Sequence, residues 1–210
     1  MIKHIFLDFN GTIINDVDLC LKLLNELLEV QKKEPISMER YKEIFTFPIQ
    51  KYYEAAGIDF SVNSFADMAV LFIEKYQPQS LKCDLYTGVE ETLQYLKECG
   101  SHIYILSASE RNNLLEQCEH FQIVKYFDEI LGIDNIHAGS KIDIAKNFMK
   151  KSGIQPQEAV FVGDTLHDYE VSQAMGVQCR LVCCGHQSRK RLEQAGVIIY
   201  DDIRGLMEEI

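Results

Sequence analysis

The sequence predicts an α/β fold, a doubly wound parallel sheet core with an inserted all-helical cap. Three observations carry this reading. Short apolar runs bounded by turns recur at residues 2–9, 102–106, 159–162, 177–184 and 197–200, as strands buried on both faces require. Segments with helical spacing lie between them at 89–99, 142–151 and 166–175, with Gly100, Gly153, Gly176 and Gly196 marking stops. Residues 15–82 break the alternation and read as helical throughout, with no internal repeat.

In chain order, the first run is Ile2-Lys3-His4-Ile5-Phe6-Leu7, and it ends in Asp8-Phe9-Asn10-Gly11-Thr12. A carboxylate at a strand's end can serve as a nucleophile, although a lone Asp there also suits a turn or a helix cap. The helical stretch follows, with Leu19, Leu23, Leu24, Leu27 and Leu28 forming an amphipathic stripe and Pro35, Pro48 and Pro78 punctuating it. The domain reading is therefore a core of residues 1–14 and 83–210, with a cap over 15–82. In α/β sheets ligands sit at the carboxyl ends of the strands, where this insertion begins, so it is placed to act as a lid.

The run at 102–106 ends in Ser107-Ala108-Ser109. A hydroxyl there can bind a phosphate oxygen or cap a helix starting near Glu110. Lys141 opens the next helix after Gly139-Ser140, a position the helix dipole mildly disfavours. Its ammonium either neutralises Asp8 and a transferring phosphoryl group or lies solvated on the surface. The run at 159–162 leads into Gly163-Asp164-Thr165-Leu166-His167-Asp168, with the two aspartates about one helical turn apart. Hard Mg²⁺ takes oxygen ligands and keeps some waters, which suits that pair; the structural alternative is a helix capped by Asp164.

The chain carries 47% hydrophobic and 25% charged residues, as ordinary globular proteins do. Its net charge of −11 argues against nucleic acid and anionic membrane as partners. Seven cysteines, with no Cys-x-x-Cys spacing and no apolar leader, read as reduced thiols in a cytoplasmic protein.

Asp8, Ser107, Lys141 and the Asp164/Asp168 pair, in this order and each at a strand end or helix start, resemble the four motifs of the haloacid dehalogenase superfamily of phosphohydrolases. The resemblance covers nearly the whole chain and implies a Rossmann-like core. The segment Phe45-Thr46-Phe47-Pro48-Ile49-Gln50, with Gly57 beyond it, is similar to a cap stretch of phosphoglycolate phosphatase-like members. Bacterial receiver domains share Asp, Ser/Thr and Lys in this order but lack the insertion and the Gly-Asp-x-x-x-Asp.

The resemblance implies Mg²⁺-dependent hydrolysis of a small phosphorylated metabolite. Asp8 would be the nucleophile and a metal ligand. Ser107, Ala108, Lys141, Gly11 and Thr12 would hold the phosphoryl group. Asp164 would ligate Mg²⁺ directly and Asp168 through water, while Asn10 would offer its backbone carbonyl.

The family's pattern has a second aspartate, a general acid/base, where this chain has Asn10. An amide has no proton to exchange near pH 7, and losing a positioned acid/base costs roughly 10²–10⁴-fold in rate. The expectation is a slow or specialised hydrolase, with His167 or a cap residue as a candidate replacement. The alternatives are a phosphate-ligand binder or regulator, or a phosphonatase-type C–P hydrolase using a cap lysine such as Lys51. Deamidation of Asn10-Gly11 is a further route to aspartate if the turn is flexible. His186, in the loop after the run at 177–184, is a possible contact on the substrate side.

Overall fold

The computed structural model describes residues 2–133 and 140–209; Gly139, read above as part of the turn before Lys141, lies outside them. The strands are β1 (His4–Leu7), β2 (His102–Glu110), β3 (Glu129–Ile133), β4 (Ala159–Gly163), β5 (Gln178–Val182) and β6 (Ile198–Tyr200). They form one parallel sheet in the order β3-β2-β1-β4-β5-β6. Helices cover it: α5 (Val89–Glu98) precedes β2, and α6 (Arg111–His120), α7 (Lys141–Ser152), α8 (Leu166–Met175) and the short α9 (Arg189–Leu192) follow in turn.

Side chains of β1 alternate between the two faces, as strand geometry requires. Ile5 and Leu7 pack with Val89, Leu93 and Leu96 of α5 on one face. Phe6 packs with Phe161, Ala145 and Val171 on the other. Both faces are thus covered, which is why the strands read as continuous apolar runs.

Four helices, α1 (Val17–Val30), α2 (Met38–Ile44), α3 (Ile49–Ala56) and α4 (Phe65–Ser80), form the inserted cap between β1 and α5. The leucine stripe of α1 is turned inward: Leu23, Leu24, Leu27 and Leu28 are buried in a cluster with Tyr41, Tyr53 and Tyr76, and Leu19 is half-buried. Each such leucine contributes about 1.5–3 kcal/mol by leaving water, so the stripe is what assembles the cap.

Sequence and structure differ in three places. Strand β3 went unread because it is an edge strand paired only with β2, with Glu129 at its start and Gly132 near its end breaking any apolar run. Strand β2 runs four residues beyond the predicted end, with an irregular register between Leu106 and Glu110, so Ser107 to Ser109 lie in extended chain. Pro78 stands inside the last turn of α4 rather than ending it. A proline there has no N–H to give the Glu74 carbonyl, a loss of one hydrogen bond near the helix end.

The strand order reverses at β1 and β4, the place where ligands bind in such sheets. Leu7 pairs with Ile105 on one side and with Val162 on the other. That register brings Asp8 and Asp164 to the same edge of the sheet.

Candidate active site

Asp8 leaves the central strand with its backbone N–H donating to the Val162 carbonyl at 2.8 Å, which holds it against β4 as that strand ends. Lys141, the first residue of α7, is only 4% exposed. Its Nζ donates to Asp8 Oδ1 and, at 2.6 Å, to Asp168 Oδ1. Carboxylate oxygens of Asp8, Asp164 and Asp168 lie within 4.8 Å of one another, all buried. Of the two readings of Lys141, the buried partner of Asp8 is the one observed.

The other carboxylates are held by local chain geometry. Asp164 accepts from the Thr12 hydroxyl at 3.1 Å and from the His186 backbone N–H at 2.6 Å. Thr165, not Asp164, caps α8, in a reciprocal capping box with Asp168. Asp168 Oδ2 accepts from the N–H groups of Asp164 and Thr165 and from the Thr165 hydroxyl, at 3.1, 2.9 and 2.7 Å. Gly11 has φ of 74°, and a Cβ there would come within 2.6 Å of His186 Cδ2 and closer still to Asp164. Only glycine meets both demands.

Burial raises Asp8 far above the ordinary carboxylate range, with Asp168 and Asp164 adding to the rise and Lys141 opposing it. Burial, with Asp168 adding, also raises Asp164 against the pull of His186. Asp168 is held below its ordinary value because Lys141 and its other donors outweigh its burial. Burial alone would lower Lys141, but Asp168 and Asp8 keep it protonated. Three buried carboxylates against one ammonium are an under-compensated negative cluster, and hard oxygen donors at this spacing fit a divalent cation.

Asn10 sits in a closed network. Its Nδ2 donates to Asp16 Oδ2 at 2.9 Å and to the Tyr76 hydroxyl at 2.6 Å. Its Oδ1 accepts from the Ser109 hydroxyl at 3.0 Å. The Tyr76 hydroxyl in turn donates to Asp16 Oδ2 at 2.6 Å. Asp16 only accepts, so the amide orientation is dictated by chemistry. The Gly11 N–H is likewise tied to Asp16 Oδ1 at 3.0 Å and to the Ile14 carbonyl at 3.1 Å. This turn is not the flexible one deamidation requires, because the nitrogen that must attack Asn10 is engaged elsewhere.

Sequence reasoning missed Asp16. It occupies the N-cap position of α1 yet makes no capping bond; its carboxylate points instead at Asn10, Gly11, Tyr76 and the imidazole Nε2 of His186, 3.4 Å away. Burial would raise it, but His186 and the hydrogen bonds from Tyr76 and Asn10 prevail and keep it low. His186, expected only as a possible contact from a loop, is tied into the same network. It is 3% exposed, shares a 2.7 Å hydrogen bond with the Tyr41 hydroxyl, and stacks on Phe45 at 4.5 Å. The usable signal was an Asp six residues past Asn10 at a helix start.

The remaining expected residues fall as follows. Ser107 is buried, and its hydroxyl accepts from the Ser109 N–H at 3.1 Å, while Glu110 is the residue that caps α6. Ala108 lines the cavity described next. The Gly11 N–H and the Thr12 hydroxyl are directed to Asp16 and Asp164 rather than outward. His167 stacks on Phe47 of the cap at 4.6 Å and pairs with Glu170. Lys51 is exposed on α3 and does not line the cavity, so the geometry gives no support to a cap lysine acting on substrate.

A cavity of about 360 Å³ lies between cap and core, lined on the core side by Asn10, Ala108 and Ser109. A parallel α/β sheet with a carboxylate–lysine cluster at its strand ends, and a helical cap with a chamber beneath it, is the architecture of a capped hydrolase. Residues 5–182 match the haloacid dehalogenase-like hydrolase family, and the chain belongs to it. Similar curated proteins include phosphoglycolate phosphatase 1 of Pseudomonas aeruginosa, 24% identical with 98% of this chain and 78% of the relative covered. A phosphoglycolate phosphatase of Pseudomonas fluorescens is 29% identical over the same shares. Among solved structures, a predicted phosphatase from Clostridium acetobutylicum superposes with a TM-score of 0.84 at 20% identity, covering 100% of this chain and 98% of its own. No helix among the described residues is long and apolar enough to cross a membrane.

Proposed function

We propose that the protein hydrolyses a small phosphate monoester by way of a phosphoryl group carried on Asp8. The observation that carries this is the buried junction of Asp8 with Lys141 and Asp168, beside Asp164, at the carboxyl ends of the central strands. An Asp8 oxygen attacks phosphorus and the bond to the ester oxygen breaks, the leaving oxygen taking its proton from water to depart as the alcohol because the Asn10 amide has none to give. Lys141 and the Ser107 hydroxyl face the charge that grows on the phosphoryl oxygens. Water then cleaves the aspartyl phosphate, giving inorganic phosphate and free Asp8. Asp8, Asp164 and the Asn10 carbonyl would hold Mg²⁺, with Asp168 acting through water, and the ion would supply charge neutralisation for the phosphoryl group. The net charge of −11 argues against nucleic acid and anionic membrane as partners, which leaves a small phosphorylated metabolite as the substrate proposed. A phosphate-ligand binder with negligible turnover is favoured by one observation, that every polar atom of the Asn10 amide is already engaged.

The test is hydrolysis of a panel of phosphate monoesters with and without Mg²⁺. Mg²⁺-dependent release of phosphate, abolished by Asp8→Ala, is expected; tight phosphate binding with no release would favour the binder.

Mg²⁺ also has an expected effect on stability. Asp8 and Asp164 titrate above the usual carboxylate range. Their ionisation therefore costs the folded protein stability as pH rises past about 4, and a cation that binds the ionised forms returns it. At a hundred times its Kd, Mg²⁺ stabilises by about 2.7 kcal/mol, and the gain in Tm should grow as pH rises from about 5.5 to about 8. A gain independent of pH, or none, would contradict this reading of the cluster.

A further inference from the structure

The phosphatase reading leaves the alcohol half of the substrate open, and the chamber under the cap bears on it. Its walls are aromatic: Phe45, Tyr52, Tyr53, Phe72 and Tyr76 come from the cap, and Ile73 stands at the rim, 49% exposed. No lysine or arginine is among the described residues that line it. The two carboxylates that do are already committed. Asp16 is matched by His186 and its hydrogen-bond donors, and Glu110 accepts from the N–H groups of Asn112 and Asn113 at 3.0 and 2.9 Å. Lys141, the buried cation of the site, is taken by Asp8 and Asp168.

We propose that the chamber selects phosphate esters whose alcohol is apolar and uncharged, with an aromatic or branched body, over esters carrying a second anionic group. The proposal rests on the phosphatase reading. The chamber is lined by Asn10 and Ser109, two residues along the chain from Asp8 and Ser107 respectively, so it adjoins the junction at which the phosphoryl group would be held, and the proposal places the alcohol half there. A carboxylate or second phosphate entering there would give up its water and meet aromatic carbon and two acids, with the His186 imidazole already committed to Asp16 and no lysine or arginine in the lining to replace that hydration. A flat apolar group exchanges water for aromatic faces, which is favourable. About 360 Å³ is within the range of small-molecule pockets and much larger than a two-carbon acid needs.

The test compares kcat/KM for 2-phenylethyl phosphate, ethyl phosphate and 2-phosphoglycolate, all unactivated alkyl esters, with Mg²⁺ present. A phenyl group gained by the pocket should raise kcat/KM at least about tenfold over ethyl phosphate, and phosphoglycolate should be the poorest of the three. Ile73→Arg, which adds a cation at the rim, should improve phosphoglycolate about tenfold relative to 2-phenylethyl phosphate. Phosphoglycolate turned over as well as or better than 2-phenylethyl phosphate by the unmodified protein would overturn the proposal. Absence of Mg²⁺-dependent hydrolysis of all three, and of an activated aryl phosphate, would instead sink the phosphatase reading itself.

Discussion

Asn10→Asp alone is expected to raise turnover by no more than about tenfold, far short of the roughly 10²–10⁴-fold a positioned acid/base normally supplies. The reason is Asp16. Its Oδ2 lies 2.9 Å from the Asn10 amide nitrogen, so a carboxylate at position 10 would face a second carboxylate across a hydrogen bond. Two such groups cannot both ionise there, and one keeps its proton. Asp16 is held in its ionised form by His186, Tyr76 and Asn10 itself. The carboxyl introduced at position 10 would therefore be the one kept neutral, able to donate a proton but poor at activating water. The variant should also lose roughly 1–3 kcal/mol of stability, because the Tyr76 hydroxyl and Asp16 lose an amide donor they both use. Adding Asp16→Asn exchanges amide and carboxylate between the two positions and should raise turnover about another tenfold or more. A double-mutant cycle measures this coupling. A hundredfold gain from Asn10→Asp alone, with Tm unchanged, would show that Asp16 does not restrain position 10.

Lys141→Met is expected to lower kcat by roughly 10²–10³-fold, the scale seen when a preorganised charge or donor facing the transition state is removed. It should also lower stability by roughly 3–5 kcal/mol, since it strands buried carboxylates that Lys141 now bridges. Mg²⁺ should return more stability to this variant than to the unmodified protein, because the negative cluster is then less compensated. Lys141→Arg should not rescue activity: a planar guanidinium does not fit where a compact ammonium lies between two carboxylates and over the Phe161 ring. Thermal melts and steady-state rates on the same preparations check both halves; an Arg variant with near-normal kcat would contradict the fit.

That Asp8, Lys141 and the Asp164/Asp168 pair come together was legible in the sequence, because each stands at the end of a strand or the start of a helix and their order resembles the family's motifs. Sequence pattern locates those junctions well, and a parallel sheet brings them to one edge. The inserted cap was legible from the leucine stripe of α1. What stayed hidden was convergence across the cap–core boundary. Tyr76 reaches Asn10 from 66 residues away, and Tyr41 reaches His186 from 145 away. No local period encodes such contacts. Asp16 was hidden differently, because a carboxylate at a helix start has a sufficient local explanation in capping, and only the fold shows it facing the other way. Strand β3 lacked an apolar run because an edge strand with one neighbour can hold Glu129 and Gly132.

Asn10 is therefore better described as half of a pair with Asp16 than as a lost aspartate. Asp8, the proposed nucleophile, and Lys141 stand apart from that exchange. The direct measurement is mass spectrometry of the protein quenched in acid during turnover of an activated aryl phosphate with Mg²⁺. One phosphoryl group is expected on the peptide containing Asp8, accumulating because Asn10 leaves water unactivated, and absent in Asp8→Ala. Phosphate release that proceeds undiminished in Asp8→Ala, with no labelled peptide, would contradict Asp8 as the nucleophile.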